Sequence, residues 1–264
     1  MTLRIKQIFE AAKSQNRAAL ITFIMGGDPD LQTTGALLEA LPQAGADIIE
    51  IGIPFSDPMA DGPVIEAAGK RAISKGTTLK KILHTVQQFR TANNATPIIL
   101  MGYYNPIYRY GVQKFCKDAG AAGVDGLIIV DLPPEEEREI TPHLEQNGLC
   151  LVRLIAPTSN DERVKKITAS ASGFVYYISV TGVTGAATAS SIDLAAKLEA
   201  LHKDIALPIA VGFGIKTAQQ VKEAAKHADA VVVGSALVNV IAESKNPVQA
   251  AGAFVMQLAA GLSR

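Results

Sequence analysis

Ile49-Glu50-Ile51-Gly52-Ile53-Pro54-Phe55-Ser56-Asp57-Pro58-Met59-Ala60-Asp61-Gly62 sets two isolated carboxylates around the end of an apolar run. Asp47 to Ile51 has the continuous, β-branched character of a parallel strand covered on both faces. The Pro-Phe-Ser-Asp-Pro run that follows cannot continue it. Glu50 therefore projects from a strand end, and Asp61 from a loop beyond it. Burying a bare carboxylate costs several kcal/mol or roughly more, so Glu50 must be paired, solvated or used. A structural salt bridge and a working pair of carboxylates both meet that requirement.

The same kind of apolar run recurs eight times, beginning near Leu20, Ile48, Ile98, Leu127, Leu149, Val175, Ile209 and Val231. Most successive starts are one strand, one helix and two loops apart. Amphipathic stretches predict helices at Leu31 to Gln43, Leu79 to Arg90, Val112 to Ala119, Glu135 to Gln146, Glu162 to Ala169, Ile192 to Leu201, Ala218 to His227 and Val248 to Leu262. Asn160-Asp161 and Thr217 read as caps. Pure βα alternation demands a parallel sheet with right-handed crossovers, and eight units close into a (β/α)8 TIM barrel. The wide gap between the second and third strands adds a helical insertion, Pro63 to Ser74. An extra helix over Met1 to Ala12, apolar at Leu3, Ile5, Ile8 and Phe9, is predicted to cover the lower mouth. A doubly wound open sheet is the rival fold, but a GxGxxG fingerprint is missing after the first strand.

Bulk properties agree with one barrel domain spanning 1–264. The chain has 264 residues, 48% of them hydrophobic, and such barrels typically need about 250. Lysine plus arginine balances aspartate plus glutamate at 25 each, so no global field draws in nucleic acid or an anionic membrane, and an anionic ligand must be held locally. Cys116 and Cys150 form neither a disulfide framework nor a zinc pattern. With no signal peptide or membrane-length run, a soluble intracellular protein is expected.

In a barrel of this kind the working face is the carboxyl end of the strands. Three glycine turns fall there: Val183-Thr184-Gly185 after the sixth strand, Gly212-Phe213-Gly214 after the seventh, and Gly234-Ser235 after the eighth, opening a helical turn from Ala236. Glycine lets backbone N–H groups approach a ligand, and a helix start adds partial positive charge, so the set reads as a phosphate cradle needing no lysine. Phe23, Leu100, Leu127, Tyr176 and Phe213 lie near strand ends and are candidates for a flat apolar pocket, though for any one of them ordinary core packing is the favoured role. Asp131 is a third carboxylate on this face, with a structural task favoured by the adjoining Leu132-Pro133-Pro134. Arg153, inside strand five, reads as a paired barrel residue or an anion ligand. His84, His143, His202 and His227 all fall in helical stretches, which argues against histidine-based chemistry.

Taken together, the Ile49 to Gly62 segment, Gly27-Asp28-Pro29, Tyr104-Asn105-Pro106, Asp131-Leu132-Pro133, Ala156-Pro157-Thr158, Thr181 to Gly185 and Gly212 to Ile215 resemble the α subunits of tryptophan synthase over essentially the whole chain. The resemblance implies a lyase that splits indole-3-glycerol phosphate into indole and glyceraldehyde 3-phosphate by a retro-aldol reaction. Glu50 would be the general acid/base, and Asp61 would hold the indole N–H. Thr184, Gly185, Gly212, Gly214, Gly234 and Ser235 would receive the phosphate, and the five apolar residues the indole. Neither metal nor cofactor is implied in this chain. A β subunit using pyridoxal phosphate would partner it in a cytoplasmic α2β2 complex, near Pro54, Phe55, Asp57, Pro58 and Met59. Two departures stand out: Met25-Gly26, where a small or hydroxyl residue and alanine are usual, and Glu66, where glutamine is common. A free-standing lyase, another phosphate-binding barrel and a barrel kept only to activate a partner are the competing readings.

Overall fold

The computed structural model describes residues 2–178, 187–212 and 214–263, with the backbone alone for 187–193. Nine strand segments form one all-parallel sheet: β1 (Ala19–Met25), β2 (Ile48–Gly52), β3 (Ile98–Gly102), β4 (Gly126–Ile129), β5 (Cys150–Leu151), β6 (Arg153–Ile155), β7 (Val175–Ile178), β8 (Ile209–Gly212) and β9 (Ala230–Val233). The strands β5 and β6 are halves of the fifth apolar run. The first half pairs with β4 and the second with β7, while β1 lies between β2 and β9. The eight predicted runs thus make the TIM barrel expected from their spacing, and the fifth run changes partner midway, at Val152.

Around the sheet lie α1 (Leu3–Ser14), α2 (Leu31–Gln43), α3 (Pro63–Ser74), α4 (Leu79–Arg90), α5 (Tyr104–Tyr110), α6 (Val112–Ala122), α7 (Thr141–Gln146), α8 (Asp161–Thr168), α9 (Ala187–Asp204), α10 (Ala218–Ala225), α11 (Ser235–Glu243) and α12 (Pro247–Ala259). Side-chain caps start several of them. Asn160 accepts from the Arg163 N–H, and Thr217 forms a capping box with Gln220, which satisfies N–H groups that the first helical turn leaves free.

Two local expectations need correction. The single helix predicted over Glu135 to Gln146 is a 3-10 turn, Pro134–Glu139, followed by α7. Pro142 has no N–H to bond back to residue 138, so a continuous α-helix fails there. The helix α5 was not foreseen. Its first N–H, on Tyr104, is held at 2.7 Å by the Asp131 carboxylate, and Gly111 at φ +94° separates it from α6.

The sheet has two apolar faces. Ile21, Ile48, Ile99, Ile128, Tyr176, Ala210 and Val232 fill the barrel interior with Ile5, Phe9 and Ala12 of α1. Phe9 stacks at 5.8 Å on Phe174, so α1 plugs one mouth, as its apolar positions predict; Leu3 alone of those four stays exposed. Ile49, Ile51, Leu100 and Leu127 belong to the larger core formed with the outer helices.

Asp125 ties α1, α4 and β3 together. Fully buried, it accepts from Arg4 at 3.0 Å, Arg90 at 2.8 Å and the Ile98 N–H at 2.9 Å. Asp125→Asn leaves two guanidinium groups short of their counter-charge, and a loss of about 3 kcal/mol is expected. Urea unfolding measures it, and a midpoint within error of the parent would count against this role.

Candidate active site

Glu50 and Asp61 line one pocket at the carboxyl end of the strands. Glu50 stands on β2 and pairs in register with Phe23 on one side and Ile99 on the other. It is only 1% exposed, and its Oε1 has no hydrogen-bond partner among the described residues. Burial alone raises its pKa to about 8, because removing water disfavours the charged form. The predicted salt-bridge alternative therefore has no counter-ion here among the described residues, and at neutral pH Glu50 is mainly a neutral acid.

Asp61 reaches the same pocket from the loop after β2. Tyr103, at the end of β3, donates its hydroxyl to Asp61 Oδ1 at 3.0 Å and accepts the Ala60 N–H at 3.0 Å. The Asp61 pKa is raised, first by burial, with Tyr103 opposing and the charge of Glu66 adding to the rise. Tyr176 closes the wall beside Glu50, and burial together with that carboxylate holds its phenol well above its usual pKa. Tyr103 directly follows β3, but its tie to residues 60 and 61 is long-range and leaves no local mark in the sequence.

The pocket encloses about 160 Å³. Phe23 and Tyr176 line it as expected, but Leu100 and Leu127 do not: both face the outer helices. Side chains alternate across a strand, so the inward neighbours are Met101 and Val130, one residue or three further along. Met101 and Val130 line the pocket with Met25, Ile53, Ile65 and Val232. Met25, one of the two departures, thereby supplies an apolar wall, and Gly52 leaves room for it, since a Cβ there would stand 2.6 Å from Phe23 and 3.0 Å from the Met25 sulfur.

Of the cradle residues, Gly214, Gly234 and Ser235 line the pocket, with Gly234 and Ser235 at the start of the nine-residue α11. That helix is longer than the turn expected from Ala236, and its free N–H groups and dipole favour an anion. Gly212 sits apart from the pocket wall. A Cβ there would collide with the Tyr176 hydroxyl, so this glycine makes room for a ring. Thr184, Gly185 and Phe213 lie outside the described residues.

Other candidates have structural work. Arg153 is buried, pairs with Glu137 and donates to the Leu132 carbonyl at 2.7 Å. Asp131 holds the start of α5. His202 bridges Asp229 and the Leu198 carbonyl on α9, and His84 and His143 lie on α4 and α7. Cys116 and Cys150 are buried and free.

A TIM-barrel enzyme with two carboxylates in the pocket at the carboxyl end of its strands is the class this fold and pocket define. Residues 9–261 match the family described as tryptophan synthase alpha chain. The chain belongs to that family, whose members are lyases of tryptophan biosynthesis that cleave indole-3-glycerol phosphate. It is 40% identical to tryptophan synthase subunit alpha from Legionella pneumophila str. Paris, with 98% of each chain covered and a TM-score of 0.91. A chain of tryptophan synthase from M. tuberculosis in its aminoacrylate-bound form is 35% identical, over 99% of this chain and 100% of that one, with a TM-score of 0.87.

Proposed function

We propose that Glu50 is the general acid/base of indole-3-glycerol phosphate cleavage and Asp61 the anion that holds the indole ring. One observation carries this reading: a buried glutamate, its Oε1 without a hydrogen-bond partner among the described residues, lines a largely apolar pocket together with a second carboxylate. Protonated Glu50 donates to the ring carbon bearing the glycerol chain. The resulting indoleninium cation is stabilised by Asp61, which also accepts the ring N–H. The carbon–carbon bond then breaks toward the ring as the adjacent side-chain hydroxyl gives its proton to Glu50. Indole and the aldehyde leave, and Glu50 is again protonated. A pKa near the working pH suits a group that must give and take a proton in one cycle. Assay of the purified chain with indole-3-glycerol phosphate, with and without a β subunit, tests the reading directly; no indole under either condition overturns it.

The phosphate belongs at Gly234 and Ser235 in this reading, beside Gly214; Thr184 and Gly185, the other residues proposed for it, lie outside the described residues. Ser235 is exposed at the first position of α11, where glutamate is compatible with the helix dipole. Ser235→Glu should therefore leave the fold intact yet repel a dianion. Binding of glyceraldehyde 3-phosphate should weaken at least about tenfold, a change of ~1.4 kcal/mol, with indole affinity unchanged. Equal weakening of both ligands in calorimetry would place the anion elsewhere.

The partner is a tryptophan synthase β subunit, which in this reading carries pyridoxal phosphate and joins indole to serine in an α2β2 assembly. The surface for it lies beside the site. Met59 is 84% exposed, Asp57 is exposed, and Pro54, Phe55 and Pro58 are half-buried. This chain itself needs no metal or organic cofactor for the proton transfers described. Among the described residues no helix is long and apolar enough to cross a membrane, and a cytoplasmic location accords with that.

A further inference from the structure

We propose that Tyr103 is a positioning residue for Asp61, a strap that fixes the loop carboxylate to the barrel and reserves one of its oxygens for the ring N–H of the substrate. The inference rests on the reading of Asp61 given above and adds a residue to it.

The polarity of the hydrogen bonds carries it. A phenol has one proton to give. The Ala60 N–H donates to the Tyr103 oxygen, which in turn donates to Asp61 Oδ1, both at 3.0 Å. The order N–H, O–H, carboxylate leaves Tyr103 a donor to Asp61, and such a donor favours the ionised form. With Oδ1 occupied, and no hydrogen bond to Oδ2 among the described residues, Oδ2 can accept from a ligand.

Mechanics point the same way. The last sheet bond of this edge runs from the Ile53 N–H to the Met101 carbonyl at 2.7 Å. Beyond it, among the described residues, the Tyr103 hydroxyl is the hydrogen-bond partner that joins residues 54–61 to another part of the barrel. Tyr103 itself is rigidly placed: 2% exposed, next to the end of β3, with Phe55 stacked on its ring at 5.4 Å. One hydroxyl therefore grips two consecutive loop residues.

Burial and the charge of Glu66 oppose the ionisation of Asp61. Glu66 faces it from α3, with Lys70 bound to that glutamate at 2.5 Å. Glu50 and Tyr176 share the pocket from β2 and β7, and the charge of Asp131 acts on Tyr103 from the end of β4. Among these groups Tyr103 is the direct donor to the carboxylate.

Tyr103→Phe keeps the ring on Phe55 and removes only the hydroxyl. In the full chain, with a β subunit present, kcat should fall about tenfold or more while KM changes little, since orientation in the transition state is lost more than ground-state binding. Loss of the donor raises the Asp61 pKa, so the acid limb of kcat/KM against pH should move upward by about one unit, with activity partly recovered at alkaline pH. A uniform loss at all pH values, or an unshifted limb, overturns the proposal. Carboxyl-carbon NMR of Asp61 in the two proteins provides the second readout, and an unchanged titration counts against it whatever the activity. Asp61→Asn separates the two readings: if that variant keeps its activity, the role of Asp61 fails, whereas an inactive Asp61→Asn beside an unaltered Tyr103→Phe rejects only the strap.

Discussion

Glu50→Gln is expected to abolish indole release while leaving substrate binding in place. The amide keeps the shape of the acid, and the pocket around it is apolar, but it can neither give the proton nor take it back. General acid/base catalysis contributes typically ~10²- to 10⁴-fold, so single-turnover cleavage should fall at least that far. Near-normal turnover would remove Glu50 from the mechanism. The same variant carries a second, opposite effect on stability. Burial lifts the folded pKa of Glu50 to about 8, above the ordinary 4.5 of a glutamate in water. Below about pH 4.5 both folded and unfolded chains hold the proton. As pH rises from there toward 8, the unfolded chain releases it and the native state keeps it, so the native state loses stability across that window, by several kcal/mol. Glutamine does not ionise, and the variant should gain stability over the parent as pH rises through the window. Urea unfolding at pH 5 and pH 8 measures the difference; a gain that shrinks toward alkaline pH contradicts a dry, unpaired Glu50.

Asp61→Asn should be comparably damaging, for an electrostatic rather than a proton-transfer reason. The neutral amide cannot offset the positive charge that appears when the ring carbon is protonated, and removing one such stabilising group typically costs about 10²- to 10³-fold in kcat. Asp131→Asn should be milder, because that carboxylate anchors the backbone of α5. A ranking with Asp131→Asn worse than Asp61→Asn would reverse the assignment. Since burial raises the Asp61 pKa, activity that needs its ionised form should fade as pH drops through that raised value, an effect absent from any residual activity of the asparagine variant.

Glu50 and Asp61 were legible in the chain because an isolated charge at the end of an apolar run is a local signal. The strand count and the α1 plug were legible for the same reason, each being a pattern within a dozen residues. Which face of a strand looks inward was not. β3 and β4 are apolar on both sides, so Ile98 to Met101 shows no alternation, and Leu100 is as plausible a pocket residue as Met101 until register with Glu50 decides between them. The pairings Glu50 with Ile99 and Gly52 with Met101 supply that register. Tyr103 stayed hidden because its function depends on a loop folding back from residues 60 and 61, more than forty positions away. Glycine placement led to Gly234 and Ser235, which line the pocket at the start of α11, whereas Gly212 lies off its wall and its missing side chain makes room for Tyr176.

The seat of α1 is built from every part of the chain. Ile5, Phe9 and Ala12 share one core cluster with residues of β1, β2, β3, β4, β5, β7, β8 and β9, so that cluster is complete only once the circle of strands has closed. Closure itself joins β1 to β9, partners some two hundred residues apart, and contacts so distant in sequence form slowly. The helix nearest the start of the sequence is therefore expected to seat late in folding, an order that pulsed hydrogen exchange of the Ile5 to Ala12 amides would read. Glu50, buried on β2 within that ring, accordingly owes its raised pKa to the completed barrel that keeps it from water.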